Sequence, residues 1–129
     1  MLAPDGKISA MTTSREASEL ARRVVDLLGD RQAEDVTLLD IGQVASFTDY
    51  FVIASAQNAR HLRALVDAVQ TDLPKEGIKS LHTEGDPDSG WVLVDFGDVI
   101  AHLMTPETRA YYNLEGLWQR AGVSEVRFQ

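Results

Sequence analysis

Apolar residues recur along this chain in two rhythms, one of three to four residues and one of two. From Ala17 the spacing is helical, with Ala17, Leu20, Ala21, Val24, Leu27 and Leu28 on a single face. Thr13 and Glu16 form a capping box that predicts the start of this helix, and Gly29 is a suitable C-cap. "DVTLLDI" (35–41) predicts a strand broken by Gly42, and "YFVIAS" (50–55) a buried strand that is apolar on both faces. Asn58 predicts the cap of a second helix whose inner face is Leu62, Leu65, Val66, Val69 and Leu73, ended by Pro74 and Gly77. "IKSLHTE" (78–84) predicts a third strand and "GDPDSG" (85–90) a loop. Two further strands follow in "WVLVDFGDVIAHLM" (91–104), then a helix with Thr105 as N-cap and Pro106 at its first position.

The order αββαβββα predicts an α/β (α+β) fold with a single mixed sheet of about five strands and helices packed on it. Residues 1–12 lack periodicity and read as a disordered lead-in. Residues 13–118 form the one domain, and 119–129 read as a C-terminal tail.

The hairpin sequence predicts its own register. Phe96-Gly97-Asp98-Val99 fits a two-residue turn with Gly97 at positive φ. Phe96 then opposes Val99, Val94 opposes Ala101, and Val92 opposes Leu103, an all-apolar face expected to meet the helices. The other face pairs Asp95 with Ile100, Leu93 with His102 and Trp91 with Met104. An apolar patch with a tryptophan, a methionine and a few charges resembles the centre of a protein interface. The alternative is that the last helix covers this face and Asp95 pairs with a local donor.

Charge favours the interface. The chain carries 12 Lys and Arg against 20 Asp and Glu, a net charge of −8. Nucleic-acid affinity rests largely on cations that neutralise phosphates, so direct DNA or specific RNA binding is disfavoured. From Ser80 to Thr108 there is no Lys or Arg, while Glu84, Asp86, Asp88, Asp95, Asp98 and Glu107 fall within that span. An acidic rim around an apolar patch suits a basic protein partner. Acidic loops are also common simply because they are soluble, which is the plainer reading of Asp86 and Asp88 alone. The chain has no cysteine, and no apolar run long enough to span a bilayer, so a cytoplasmic protein without disulfides or membrane contact is expected.

Catalytic readings are weaker. Asp95 and Asp98 would suit a divalent cation for phosphoryl transfer only if the fold made them converge, and a spacing of three does not require that. "GDPDSG" lacks the Lys and Ser/Thr of a phosphate loop, and its acids would repel phosphate. His82, Glu84 and His102 are too few for a zinc site without another ligand. On the last helix Leu114, Leu117 and Trp118 read as core, with Tyr111 or Tyr112 partly exposed.

The stretches "TDYFVIASAQNARHLRAL" (48–65) and "EGDPDSGWVLVDFGDVIAHLMTPETRAYYNLEGLW" (84–118) resemble the Iojap family, the bacterial ribosomal silencing factors called RsfS. Ala56, where the family commonly has glycine, is a local departure. The resemblance implies a fold related to nucleotidyltransferases and a non-catalytic protein without cofactor or metal, typically a homodimer when free. It also implies binding to the large ribosomal subunit through its basic protein L-fourteen, sterically blocking small-subunit joining and damping translation when nutrients are scarce. The nucleotidyltransferase signature is absent, its nearest match being Ser46-Phe47-Thr48-Asp49, which leaves a metal-dependent enzyme as the alternative. Hairpin and resemblance together assign Trp91, Leu93 and Met104 to the apolar docking surface. Glu84, Asp95 and Asp98 would meet basic residues of the partner, with His102 supporting the surface from its edge. Arg60 and His61 match a family motif and read equally as a structural tie or a binding element.

Overall fold

A computed structural model describes residues 2–128, with side chains from Glu16 onward. Its elements in chain order are α1 (Leu2–Asp30), β1 (Glu34–Asp40), β2 (Tyr50–Ser55), α2 (Ala59–Asp72), β3 (His82–Asp86), β4 (Trp91–Asp95), β5 (Val99–Met104), α3 (Pro106–Tyr112), α4 (Leu114–Arg120) and β6 (Glu125–Arg127). The six strands form one sheet in the order β3-β4-β5-β2-β1-β6. Only the central pair β2–β5 is parallel; every other neighbour is antiparallel. The expected mixed sheet with packed helices is present, with one strand more than predicted.

The extra strand lies in the expected tail. Residues 125–127 pair with β1, Leu39 opposite Glu125 and Thr37 opposite Arg127. Three residues are too short for an alternation that sequence reading detects. Two other boundaries differ as well. The first helix begins at Leu2 rather than at Thr13, so helix runs through the expected lead-in, and the side chain of the Thr13 cap lies outside the described residues. The third strand starts at His82, four residues late, and runs on through Gly85 into the predicted loop. Gly85 has φ of 95°, and a Cβ there would fall 2.2 Å from the Trp91 carbonyl oxygen, so only glycine lets this edge strand lie so close to β4.

The apolar periodicities decide where the core sits. α1 and α2 cover one face of the sheet, burying Ala21, Val24, Leu28, Leu62 and Leu65 against Val92, Val94, Ala101 and Leu103. Asn58 caps α2 as predicted, its Oδ1 accepting from the His61 backbone N–H at 2.8 Å. His61 also resolves into a structural tie. Its Nδ1 accepts from the Gln57 N–H and its Nε2 donates to the Arg31 carbonyl, 3.0 Å each, joining α2 to the end of α1. Arg60 beside it is exposed.

On the other face a smaller apolar cluster forms from Leu39, Ile41, Phe51, Ile53, Ile100, Met104 and Val123. It is capped by α3 and α4, two helices where the sequence predicts one. They are separated at Asn113, whose φ of 47° and ψ of 57° are left-handed. Asn113 tolerates that conformation because its side chain bonds locally, accepting from the Gly116 N–H at 3.1 Å and so opening α4. The break packs Leu114 and Trp118 against the cluster but leaves Leu117 52% exposed, which corrects its expected place in the core.

Candidate docking surface

The hairpin register is the predicted one in every pair, Asp95 opposite Ile100, Leu93 opposite His102 and Trp91 opposite Met104. Phe96 N–H donates to the Val99 carbonyl at 2.8 Å across a turn with Gly97 at φ 94°. β4 alternates strictly, with Val92 and Val94 buried and Trp91, Leu93 and Asp95 half-buried on the outer face. The outer face of β5 is closed: Ile100 is 7% exposed, His102 4% and Met104 0%. β3 beyond β4 is exposed along its whole length, and sets His82, Glu84 and Asp86 opposite Asp95, Leu93 and Trp91. The outer face therefore passes from dry at β5 to bare at β3.

Arg109 explains where the dry part ends. Its Nε and Nη2 donate to Glu115 of α4 at 2.7 and 2.6 Å, Nη1 to Ser55 Oγ at 2.9 Å and Nη2 to Thr37 Oγ1 at 3.0 Å. A buried guanidinium, hydrogen-bonded through all three nitrogens, thus fastens the α3–α4 corner over β1 and β2, leaving β4 half-covered and β3 bare. Arg109 is the first cation after the acidic span, and it is directed inward. Sequence reading missed it because nothing in its spacing distinguishes a buried arginine from a surface one.

Trp91 is held from beneath. Its Nε1–H donates to His102 Nδ1 at 3.1 Å, which places the imidazole proton on Nε2. Burial pushes the His102 pKa down to about 4, so the ring is neutral at pH 7 and stays an acceptor for the indole. Phe51 packs edge-on to the imidazole with centroids 4.4 Å apart, and His102 Nε2 has no hydrogen-bond partner among the described residues. On its solvent side the Trp91 ring lies 4.8 Å from Tyr112, which in turn meets Tyr111 edge-on at 4.9 Å. Both tyrosines are exposed, Tyr111 at 79% and Tyr112 at 52%, so the aromatic surface continues from β4 onto α3. The helical spacing predicts one of them exposed and joins neither to Trp91.

The expected site residues separate accordingly. Trp91, Leu93 and Glu84 are neighbours on the bare side. Met104 and His102 are not surface residues; they lie under the cap, and His102 acts from below rather than from the edge. Asp95 spends one oxygen on the Gly97 N–H at 2.7 Å, the local pairing considered as its alternative. Glu84 contacts His82 at 2.7 Å in an exposed pair. Asp98 does not join them. It sits in the turn, at the end of the hairpin remote from Trp91, with its carboxyl pushed upward by burial and then by Asp49 and Glu16. Asp95 and Asp98 therefore face different surroundings and do not converge. Among the described residues no three His, Asp or Glu side chains are placed to hold a metal ion. The acidic rim is also partly met from inside, since Arg63 of α2 reaches Asp88 at 3.3 Å.

A sequence profile described as "Ribosomal silencing factor during starvation", RsfS, matches residues 14–129. This chain belongs to the RsfS family. It is 34% identical over 103 residues to the ribosomal silencing factor RsfS of Chromobacterium violaceum, covering 80% of this chain and 84% of that protein. It is 38% identical over 98 residues to the mouse protein named mitochondrial assembly of ribosomal large subunit protein 1, covering 74% of this chain but 43% of the mouse protein. The crystal structure of a protein from Chromobacterium violaceum superposes with a TM-score of 0.71 at 34% identity, over 81% of this chain and 85% of that one. The RsfS match extends past Trp118 through β6.

Proposed function

We propose that this protein is a ribosomal silencing factor of the cytoplasm that docks on the large ribosomal subunit through the outer face of β3 and β4. The partner is the basic ribosomal protein L-fourteen, and the bound domain occupies volume that the small subunit needs in order to join. No catalysis or cofactor is required, because exclusion of the small subunit is steric. When free, the protein is a homodimer, and direct DNA or specific RNA contact plays no part. One observation carries the reading: Trp91, Leu93 and Tyr112 form a continuous, partly bare apolar patch beside Glu84, within a span of sequence that lacks any cation. Family membership and the names of the relatives support the ribosomal setting.

The direct test is sedimentation of separated ribosomal subunits with and without the protein under conditions that favour reassociation. A reduced fraction of joined ribosomes is expected, and an unchanged fraction would reject silencing. Trp91→Ala should weaken large-subunit binding by about 2 kcal/mol or more if Trp91 is the anchor. The competing enzyme reading requires Asp95 and Asp98 to share a cation, so calorimetric titration with magnesium and nucleoside triphosphates should give no heat of binding.

A further inference from the structure

A cavity of about 310 Å3 opens between β4 and α3, lined by Glu84, Ser89, Trp91, Leu93, Thr108 and Tyr112. Its volume is at the small end for ligand cavities and is ample for one side chain. One wall is aromatic, since the rings of Trp91 and Tyr112 pack against each other with centroids 4.8 Å apart and planes inclined by 48°. Leu93 adds an aliphatic wall, and Glu84, with its side chain 65% exposed, supplies a carboxylate at the rim. No Lys or Arg of the 80–108 span competes for that carboxylate; its partner among the described residues is His82.

We infer that this cavity seats a single arginine side chain projecting from the protein partner, an inference that rests on the docking reading above. An arginine stem is aliphatic and would lie along Leu93, while its planar head stacks on an aromatic face and presents paired N–H donors to Glu84. A lysine would satisfy the charge but not the stacking and the fork. A phosphate or carboxylate would meet Glu84 with like charge and so is turned away. Trp91 is fixed for this role by its bond to His102, which holds the half-buried indole at one orientation.

Two measurements test the seat on the full chain. In the first, binding to isolated large subunits is compared for the unchanged protein, Trp91→Ala, Tyr112→Ala and Glu84→Gln. Tyr112→Ala and Glu84→Gln should each weaken binding about tenfold, and the Glu84→Gln deficit should shrink as salt is raised. If Trp91→Ala weakens binding while the other two leave it unchanged, the seat is wrong and the docking face stands. In the second, N-acetyl-arginine methylamide is titrated into the free protein while the Trp91 indole N–H resonance is followed, with the citrulline and lysine analogues as comparisons. A saturable shift with the arginine compound, absent with citrulline and weaker with lysine, is expected. No shift with arginine overturns the seat even if the subunits bind, and an equal shift with lysine overturns the choice of arginine. If the subunits fail to bind but the arginine shift appears, the ribosomal reading falls and the seat survives it.

Discussion

On the inner face of the β4–β5 hairpin every residue from Val92 to Leu103 is sealed under α1 and α2, whereas on the outer face burial declines from Met104 through Leu93 to Glu84. The two faces share the same alternation, and the outer one is still mostly apolar, with Asp95 and His102 as its polar members. What separates them further is the length and the fastening of what lies above. α2 alone runs for 14 residues, while α3 and α4 are 7 residues each and turn a corner at Asn113. A short cap pinned by one buried arginine dries half a sheet. The undried half keeps an aromatic surface available at little cost to the core, because the inner face supplies most of the hydrophobic stabilisation.

The sharpest way to break this contrast is to release the cap. Arg109→Ala leaves Glu115 buried without its partner, and should lower unfolding free energy by about 4 kcal/mol in a denaturant titration. If it lowers stability by less than about 1 kcal/mol, the corner is held by packing alone. Next in size is a paired deletion across the two faces. Leu103→Ala, on the sealed side, should cost about 3 kcal/mol, and Leu93→Ala, on the open side, about 1. Equal costs would mean the outer face is as well covered as the inner one.

Acid probes the boundary itself. The folded pKa of His102 lies near 4, below the ordinary value of 6.5, so between these values the unfolded chain binds the extra proton. The stability attached to keeping His102 neutral is complete above pH 6.5 and is lost as pH falls toward 4, at up to about 1.4 kcal/mol per pH unit. His102→Gln should flatten that slope in unfolding curves measured across this window; an unchanged slope would assign it to other groups. The smallest effect belongs to Asp98, whose carboxyl is raised by burial and by the charges of Asp49 and Glu16. Asp98→Asn should gain stability by less than about 0.5 kcal/mol at pH 7, and leave large-subunit affinity as it was, since the turn lies apart from the aromatic surface. A weakened affinity would return Asp98 to the docking face.

The inner face was legible from sequence because period-two alternation around Gly97 fixes register, and register fixes which side chains share a face. Trp91 and Leu93 were placed correctly on the outer face by the same logic. Met104 and His102 were misplaced because alternation says which way a side chain points but not what lies above it. That depended on Asn113, one residue in a left-handed conformation that nothing in the helical spacing of Leu114 and Trp118 reveals. β6 escaped notice for the related reason that its three residues acquire meaning only beside β1. Arg109 and the Tyr111–Tyr112 stack are products of tertiary packing, and no local pattern encodes them.

The sheet has its one parallel seam at its centre, where Tyr50 lies opposite Val99 and Ser55 opposite Met104. Strands that far apart in the chain must enclose a long loop before the first rung of the ladder forms, so closing the seam costs more chain entropy than closing the hairpin beside it. The β4–β5 hairpin, by contrast, joins neighbours across a two-residue turn and has no such wait. Substitutions on that seam, such as at Val52 or Ala101, should therefore slow refolding more than changes near Trp91 do.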